Sequence, residues 1–313
     1  CMVLFERAES PLYEIELELA NEYENIRIIP CLGDIQHRVE LEKVFEEFRP
    51  EIVFHAAAYK HVPMLEIQPW KAVENNICGT ENLVSMADSY GTEKFVFVST
   101  DKAVNPVNVM GVSKRVSEMI VQNRNVVQQS LTSFITVRFG NVIGSVGSVI
   151  PLFKKQIKAG GPVTVTHPDM IRYFMLIPEA CQLILQAGAM GKGGEIYILE
   201  MGKPVKIDEM ARDLIRFSGF EPDVDINIEY TGLRPGEKLY EELMTGSEDV
   251  VATRHESILV LNGQCCDMKQ VNGWIQKLNN ASENRDVEEI KHLLQSVVPE
   301  YEPFQDQNKA CVN

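Results

Sequence analysis

The stretch KFVFVSTDKAVNPVNVMGVSKR (94–115) decides the fold of this chain. It opens with a continuous apolar run, which is typical of a strand that is buried on both faces of a sheet. A polar loop follows, and VMGVSKRVSEMIVQN (109–123) then places apolar side chains at helical spacing. This order of strand, loop and helix predicts one unit of a parallel sheet that helices cover on both faces.

The same alternation recurs on both sides of this stretch. Amphipathic patterns predict helices at 10–23, 37–49 and 69–91. Because apolar strands and helices alternate, we expect a doubly wound α/β fold of the kind that binds dinucleotides. The other predicted strands are MVLFE (2–6), IRIIP (26–30), EIVFHAAA (51–58) and SFITVRFGN (133–141).

The character of the sequence changes after Asn141, where glycine and proline become frequent and the apolar segments become shorter. We therefore place the dinucleotide-binding domain at 1–141 and a smaller substrate-binding region with C-terminal helices at 142–313. Some segments of the second part are expected to return to the first.

The composition limits the classes of partner. The chain of 313 residues has a formal net charge of −15, so no nucleic-acid partner is expected, because such binding relies on Lys and Arg that neutralise phosphates. No apolar run reaches the roughly 18 residues that span a bilayer. The seven cysteines fit a reducing compartment and are interpreted mostly as small buried residues. His55 and His61 have no third ligand at suitable spacing, so no metal site is expected.

One part of the dinucleotide fold has no counterpart in the sequence. In such folds a glycine-rich phosphate loop follows the first strand, and an acid that binds the adenosine ribose follows about 20 residues later. The chain contains no such loop, whereas Glu6 at the end of MVLFE matches the acid. We therefore expect the first strand, which would lie between MVLFE and EIVFH, to lie upstream of Cys1 in a longer polypeptide. The alternative is that another strand of the chain fills this position.

Several stretches, in the same order along the chain, closely resemble one family. They are HAAAYKHVPMLE (55–66), NNICGTENL (75–83), STDKAVNPVNVMGVSKR (99–115), RFGNVIGSVGSVIPLF (138–153) and GLRPGEKLYEEL (232–243). Over about residues 2–302 the chain resembles the UDP-N-acetylglucosamine 4,6-dehydratases of capsule, O-antigen and protein-glycan biosynthesis, which are extended short-chain dehydrogenases/reductases. The resemblance implies that NAD(P)⁺ takes a hydride from carbon 4 of the sugar. Water is then eliminated across carbons 5 and 6, and the hydride returns to carbon 6.

Elimination needs one group that removes the carbon-5 proton and another that protonates the departing hydroxyl. The resemblance implies that Asp101 is this general acid and Lys102 this general base, at the carboxyl end of a strand. Asp101 must then keep its proton and Lys102 must be neutral, which requires burial or suitable charged neighbours. Thr100 is expected to donate to the carbon-4 oxygen. The alternatives are an exposed ion pair for Asp101 and Lys102, and an ordinary strand-end residue for Thr100.

Met110 stands where the wider superfamily carries a tyrosine, four residues before Lys114. That tyrosine accepts the carbon-4 hydroxyl proton, whereas methionine has no ionisable group. Lys114 is expected to keep its contact with the nicotinamide ribose. We expect an active branch of the family, in which a neighbouring group or a water near Thr100 and Lys102 takes the proton. This branch resembles large membrane-anchored dehydratases that retain the carbon-5 configuration; the alternative is a catalytically dead relative.

The resemblance implies NAD as the cofactor. Glu6 favours NAD, whereas Arg7 could meet a 2′-phosphate, so NADP stays an alternative. Asp34 and Ile35 are expected to flank the adenine. The other expected cofactor contacts are Ala56, Ala57, Ala58, Lys60, Asn75, Ser99 and Lys114.

The expected contacts with UDP-N-acetylglucosamine follow the last large strand. Arg172 and Arg234 are the expected diphosphate clamps, because the planar guanidinium fork suits phosphate oxygens. Surface ion pairing is the alternative for each arginine. The others are Asn141 for the phosphates or the sugar, Ser148 and Val149 for the uracil, and Glu237 for the uridine ribose.

Other interpretations stay open. The fold also suits a dehydratase that inverts carbon 5, a 4-epimerase of UDP-sugars, or a nucleotide-sugar-binding relative without activity. An epimerase needs no acid and base at carbons 5 and 6, so Asp101 and Lys102 favour elimination. We further expect a homo-oligomer in the cytoplasm. If the parent protein resembles the anchored members, an upstream segment would attach it to the cytoplasmic face of the inner membrane.

Overall fold

The computed structural model describes residues 1–127, 130–145, 147–245, 250–261 and 268–304. Its strands are β1 (Met2–Glu6), β2 (Ile28–Leu32), β3 (Ile52–His55), β4 (Lys94–Val98), β5 (Ser133–Arg138), β6 (Asn141–Ile143), β7 (Val163–Val165), β8 (Ile171–Arg172), β9 (Phe174–Leu176), β10 (Ile196–Leu199), β11 (Val205–Lys206), β12 (Ile228–Tyr230), β13 (Val250–Ala252) and β14 (Ile258–Leu261). Its helices are α1 (Glu9–Glu22), α2 (Arg38–Phe48), α3 (Val62–Ile67), α4 (Pro69–Lys71), α5 (Gly79–Ser89), α6 (Val109–Val127), α7 (Val149–Lys158), α8 (Ile177–Met190), α9 (Ile207–Phe217), α10 (Met268–Glu283) and α11 (Val287–Val297). A π-helical turn at Ala72–Cys78 joins α4 to α5, and a 3-10 turn covers Asp101–Ala103.

The main sheet has six strands in the order β13-β14-β10-β5-β4-β3. Strands β3, β4, β5 and β10 run parallel, and β14 and β13 are antiparallel to their neighbours. Successive residues of β4 face opposite sides: Phe95 and Phe97 pack in the core with α5 and α6, whereas Val96 packs with α8. The continuous apolar run is therefore buried on both faces, and the predicted doubly wound α/β fold is confirmed.

Strands β1 and β2 form a separate parallel pair. Within the described residues no strand lies between β1 and β3, so the alternative that another strand of the chain fills this position is wrong for that part of the chain. Ile52 and Phe54 of β3 are 53% and 48% exposed, which is unusual for apolar residues of a parallel strand. The edge of β3 that would pair with the expected first strand therefore pairs with no described strand.

Segments from the second half return to the first. Strands β10 and β14 complete the main sheet, and Leu278 of α10 and Ile290 of α11 join the core that contains Phe95. A separate core around Phe153 and Ile215 holds α7, α9, β7 and β12 together. The main sheet and this smaller core are the two bodies between which the candidate site lies.

Two further expectations concern the whole chain. The described helices include none that combines the length and apolarity needed to cross a membrane. The interpretation of the cysteines as buried is wrong for the four that the structure describes, because Cys1 and Cys181 are exposed and Cys31 and Cys78 are only partly buried. Cys265, Cys266 and Cys311 lie outside the described residues.

Candidate active site

The centre of the candidate site is the turn that follows β4. Backbone pairing continues beyond the strand, because the Asp101 amide donates to the Phe139 carbonyl at 3.1 Å. The Asp101 side chain is completely buried, and its Oδ1 accepts from Lys102 Nζ and Thr100 Oγ1, each at 2.9 Å. The side chain of Lys102 is 19% exposed. The predicted acid and base are thus in direct contact, and the alternative of an exposed ion pair is wrong.

Two carboxylates set the charge of Lys102. Burial lowers the pKa of Lys102, but Asp101 and Glu241 outweigh burial, so this pKa is raised and the ammonium is favoured. This direction is opposite to the one that a neutral base needs, and the general-base role of Lys102 stays a prediction. Asp101 Oδ2 is buried and has no hydrogen-bond partner, so a second carboxylate oxygen is available.

Glu241 and Asn141 complete the surroundings of Lys102. Glu241 Oε1 lies 3.9 Å from Lys102 Nζ and 3.7 Å from Arg172 Nη2, and its side chain is 4% exposed. Asn141 Oδ1 accepts from Lys102 Nζ at 3.4 Å, and its contact with the phosphates or the sugar stays a prediction. Glu241 is not among the predicted site residues, because nothing in the sequence distinguishes it from the adjacent Glu242.

The two expected diphosphate clamps lie in different environments. Arg172 is buried, and its guanidinium donates to the carbonyls of Ile171, Lys238 and Leu239 at 2.7–3.0 Å. These hydrogen bonds hold the loop that contains Glu237. Arg172 therefore stabilises this loop, which was not predicted from the sequence. The side chain of Arg234 is 58% exposed, which leaves its guanidinium accessible to a ligand.

Glu237 lies between these two arginines. Its Oε1 is 4.0 Å from Arg172 Nη2, and its Oε2 is 3.6 Å from Arg234 Nε. Ser148 and Val149 begin α7, and the buried Ser148 hydroxyl has no hydrogen-bond partner. The structure therefore brings Arg172, Arg234 and Glu237 together, whereas it gives no direct contact between them and the two α7 residues. The contacts of all five with a nucleotide sugar stay predictions.

Met110 and Lys114 are both buried on α6. Met110 belongs to the core that α6 shares with α5, so its side chain fills space there. Lys114 Nζ donates to the Val98 carbonyl at 2.7 Å and lies 3.9 Å from the centre of the Phe97 ring. Burial lowers the pKa of Lys114 to about 7, although Glu118 acts in the opposite direction. Lys114 therefore sits at the end of β4, and its contact with the nicotinamide ribose stays a prediction.

Ser99 is engaged within the protein. Its hydroxyl donates to Glu118 Oε1 at 2.7 Å, and both residues are buried. Glu118 also receives two hydrogen bonds of 2.7 Å from Arg138 and one of 3.1 Å from Arg115. Burial raises the pKa of Glu118, but the charge and the hydrogen bonds of Arg138 lower it by more. The pKa is therefore lowered overall, and the carboxylate is ionised. This network supports the end of β4 from behind, and the cofactor contact of Ser99 stays a prediction.

A groove of about 200 Å³ beside β1 contains most of the expected cofactor residues. Glu6 Oε1 accepts from the backbone amides of Arg7 and Ala8 at 2.9 Å, which fixes the carboxylate and leaves its second oxygen available. The Arg7 guanidinium stacks on the Tyr59 ring at 4.5 Å and hydrogen-bonds to its hydroxyl. The groove is lined by Phe5, Glu6, Arg7, Gly33, Asp34, Ile35, Ala56, Ala57, Ala58, Tyr59 and Asn75.

These residues fit the adenosine half of a dinucleotide. Three consecutive alanines let the backbone approach a ligand, and the fixed Glu6 carboxylate suits ribose hydroxyls. Asn75 is buried at the groove and hydrogen-bonds to Gln36 and Asn76. Lys60 is exposed and does not line the groove. The chain has no glycine-rich phosphate loop, so the fit extends to the adenosine and not to the diphosphate.

Two residues outside the predictions position the site. A Cβ atom on Gly111 would lie 2.1 Å from the Lys102 carbonyl oxygen, so only glycine lets α6 approach the turn so closely. Asn108 accepts from the Gly111 amide at 2.7 Å and donates to the Gly236 carbonyl at 2.8 Å. An isolated glycine within a helical pattern was the available signal for Gly111. Nothing comparable indicated Asn108.

Metal ligation has no basis in the described side chains. Among them no three His, Cys, Asp or Glu residues lie close enough to hold a metal ion. His55 is buried instead, with Nε2 2.9 Å from Thr80 Oγ1 and its ring 5.3 Å from that of Phe97. Burial and the nearby Lys114 lower the pKa of His55 to about 3, so it is neutral.

Solved structures share this fold. Pen from Bacillus thuringiensis matches with a TM-score of 0.75 and 32% identity over 88% of both chains. DesIV from Streptomyces venezuelae, a dTDP-glucose 4,6-dehydratase with bound NAD, matches with a TM-score of 0.66 and 20% identity over 79% of this chain and 89% of DesIV. The expected Rossmann-like fold of the extended short-chain dehydrogenases/reductases is therefore confirmed.

Sequence comparisons assign the family. The capsular polysaccharide biosynthesis protein CapD of Staphylococcus aureus is 54% identical over 248 residues, and the probable polysaccharide biosynthesis protein EpsC of Bacillus subtilis is 51% identical. Each alignment covers 79% of this chain but only 41% of the relative, so the chain spans less than half the length of these proteins. A UDP-glucose 4-epimerase of Rickettsia akari is 35% identical over 79% of this chain and 69% of that enzyme. Since the profile described as "Polysaccharide biosynthesis protein" also matches residues 1–263, the chain belongs to the polysaccharide biosynthesis protein family.

Proposed function

We propose that this chain carries the catalytic site of an NAD(P)-dependent 4,6-dehydratase that acts on UDP-N-acetylglucosamine for surface polysaccharide or glycan biosynthesis. The observation that carries the proposal is the buried contact of 2.9 Å between Asp101 and Lys102 at the carboxyl end of β4. Elimination of water needs an acid and a base side by side, whereas epimerisation at carbon 4 needs neither at carbons 5 and 6. Bound NAD would supply an acceptor and later a donor of hydride.

The elimination step can be written with these two side chains. The carbon-5 C–H bond breaks, its proton goes to Lys102 Nζ, and its electron pair forms the double bond to carbon 6. The carbon–oxygen bond at carbon 6 breaks, and the hydroxyl leaves as water with a proton from Asp101. Asp101 becomes a carboxylate, and Lys102 becomes an ammonium, which is the charge that its raised pKa favours.

Proton balance gives Thr100 a role that replaces the missing tyrosine. When the hydride returns to carbon 6, Lys102 gives its proton back to carbon 5 and is neutral again, whereas the water has carried away the proton of Asp101. The proton released from the carbon-4 hydroxyl must therefore restore Asp101. Thr100 Oγ1 is hydrogen-bonded to Asp101 Oδ1 at 2.9 Å, which provides a path from a hydroxyl at Thr100 to Asp101. Met110 would then need no acid-base function, in agreement with its burial in the core.

The test is turnover of UDP-N-acetylglucosamine with NAD⁺ by this chain and by a form extended at its amino end. Mass spectrometry should detect loss of one water, and Asp101→Asn and Lys102→Met should each reduce this loss by at least about 10²-fold. Glu242→Gln, which alters an exposed contact with Asn105 and Lys238, serves as the control. A folded form that binds NAD but leaves the mass and configuration of the sugar unchanged would refute the proposal.

The 4-epimerase is a second candidate because of the 35% identity to the Rickettsia akari enzyme. An epimerase leaves the mass unchanged and inverts carbon 4, which proton NMR of the sugar product detects. Carbon-4 inversion without water loss would therefore replace the dehydratase by the epimerase.

A further inference from the structure

We propose that Glu241 is a positioning residue that holds the Lys102 ammonium in place and strengthens Lys102 as a base. The proposal rests on the proposed function, because it concerns the charge that Lys102 gains during elimination. The geometry places Lys102 Nζ between two buried carboxylates, at 2.9 Å from Asp101 Oδ1 and 3.9 Å from Glu241 Oε1. Of these two carboxylates, only that of Asp101 is needed as the acid.

The Glu241 carboxylate has few other tasks. Its side chain is 4% exposed, and among the described residues its charged contacts are Lys102 at 3.9 Å and Arg172 at 3.7 Å. The structure gives it no hydrogen bond to a described residue within normal distance, so these two cations are what compensates its burial. A carboxylate that only stabilised the loop would be expected to accept hydrogen bonds from that loop.

Arg172 connects this carboxylate to the fold. Its guanidinium is fixed by the carbonyls of Ile171, Lys238 and Leu239, so it presents a charge of fixed position to Glu241. The result is a row of alternating charges that runs from Arg172 through Glu241 and Lys102 to Asp101. Such a row keeps Lys102 oriented without occupying the free Asp101 Oδ2.

The electrostatic consequence follows from the charges that change. Lys102 gains a positive charge when it takes the carbon-5 proton, and an ionised Glu241 stabilises that charge at the moment it forms. The charged and polar groups that face Lys102 are Asp101, Glu241, Arg172 and Asn141. Those that face Glu241 are Lys102, Asp101, Arg172 and Lys238.

These charges act on Glu241 in opposite directions. Burial is the largest effect and raises its pKa, and Asp101 adds to it, whereas Lys102, Arg172 and Lys238 lower it. Glu241 therefore loses its charge at a higher pH than an exposed glutamate. Below that pH Lys102 loses one of its two anionic neighbours, so the base strength of Lys102 depends on Glu241.

The first measurement reads the protonation of Lys102 without turnover. Trace acetylation with acetic anhydride across a pH series, followed by mass spectrometry of the peptide that contains Lys102, reports the fraction of neutral amine. We expect Glu241→Gln to raise Lys102 acetylation about tenfold at a pH below its midpoint, which corresponds to a midpoint about one pH unit lower. Glu242→Gln is the matched control, because Glu242 is adjacent and 51% exposed, and contacts Lys238 instead. It should change Lys102 acetylation by less than about twofold.

The second measurement applies to the dehydratase reaction. On the plateau of the pH profile, where Lys102 is neutral in both forms, Glu241→Gln should lower kcat up to about tenfold with KM within about twofold, because the base is weaker, and the acid limb should move to lower pH. Glu241→Asp, which keeps the charge, should restore part of the acetylation midpoint and of kcat. Thermal melting of each variant separates these effects from loss of folding.

The outcomes distinguish this proposal from the proposed function. If Lys102 acetylates identically in the wild-type chain and in a folded Glu241→Gln variant, the proposal for Glu241 is wrong even if the enzyme dehydrates its substrate. If the acetylation midpoint falls but neither form dehydrates UDP-N-acetylglucosamine, Glu241 still sets the charge of Lys102 and the proposed function fails instead.

Discussion

The turn after β4 and the groove beside β1 are held in place to very different extents. Asp101 in the turn is completely buried and bonded to Thr100 and Lys102. In the groove, by contrast, the side chain of Arg7 is 45% exposed, and its distance of 3.8 Å from Asp34 is long for an ion pair. The chain therefore fixes Asp101 and Lys102 before any ligand binds, whereas the Arg7 side of the groove is less firmly held.

This difference has an energetic meaning. Catalytic groups act best when they need no reorganisation, so their supports must be built into the fold. Groove residues contribute mainly when a ligand is bound, so their removal costs binding rather than folding. Substitutions at the turn should therefore reduce stability, and substitutions in the groove should not.

The largest expected effect is at Gly111, where α6 meets the turn. The Cβ atom of Gly111→Ala would lie 2.1 Å from the Lys102 carbonyl oxygen, and backbone cannot move aside as a flexible side chain would. We expect the free energy of unfolding to fall by about 3 kcal/mol, measured by urea denaturation. Gly273→Ala on α10 is the matched control, because no heavy atom lies within 4 Å of its added Cβ, and it should stabilise the chain by up to about 1 kcal/mol. Equal effects at the two glycines would show that the turn is not tightly packed against α6.

The same contrast explains what could be predicted from the sequence. Strands β4 and β5 were predictable because parallel strands buried on both faces need continuous apolar runs, and β1 to β3 carry similar runs although they are partly exposed. The groove residues around Glu6 were predictable because they follow strand ends at known spacing. Both inferences depend only on neighbours along the chain.

The surroundings of Lys102 depend on residues that are distant in the sequence. Glu241 approaches Lys102 just after the loop whose Lys238 and Leu239 carbonyls Arg172 binds, and nothing near Glu241 in the sequence indicates this. The resemblance predicts a diphosphate contact for Arg172, but it does not show that the guanidinium also donates to three carbonyls, because their positions require the complete fold. The raised pKa of Lys102 has the same origin, since the sequence does not show how many carboxylates surround it.

An intermediate effect on stability is expected at His55, a buried residue at the end of β3. Burial and Lys114 lower its pKa to about 3, from an ordinary value of 6.5. Below pH 6.5 the unfolded chain therefore binds a proton that the folded chain does not, so stability is present above that pH and falls as the pH falls. We expect a loss of about 2 kcal/mol between pH 6.5 and 5, which His55→Gln should remove from urea denaturation curves.

The exposed His292 provides the control for this measurement. His292→Gln should leave the pH dependence as it is in the wild-type chain. If His55→Gln keeps the full acid sensitivity, the buried side of β3 is more hydrated than its packing against Phe95 and Phe97 indicates.

The smallest effect on stability is expected at Arg7, in the groove. Arg7→Ala removes an exposed stacking contact with Tyr59 and the pair with Asp34, so the free energy of unfolding should change by less than about 1 kcal/mol. Ligand binding should respond instead, because Arg7 is the cation beside the fixed Glu6 carboxylate. Titration calorimetry with 2′,5′-ADP and with 5′-AMP isolates the adenosine half of a dinucleotide. We expect Arg7→Ala to weaken 2′,5′-ADP about tenfold and 5′-AMP by less than twofold, since only the former carries a 2′-phosphate.

Glu6→Gln sharpens the same test from the opposite side. This variant removes the negative charge of the carboxylate, whose second oxygen suits the ribose hydroxyls. We therefore expect 5′-AMP to bind more weakly and the affinity for 2′,5′-ADP to rise relative to that for 5′-AMP. A groove in which neither variant changes the ratio of the two affinities does not bind the adenosine ribose at this edge. A groove in which Arg7→Ala destabilises the chain as much as Gly111→Ala is as firmly built as the turn, and the contrast between the two regions would then be wrong.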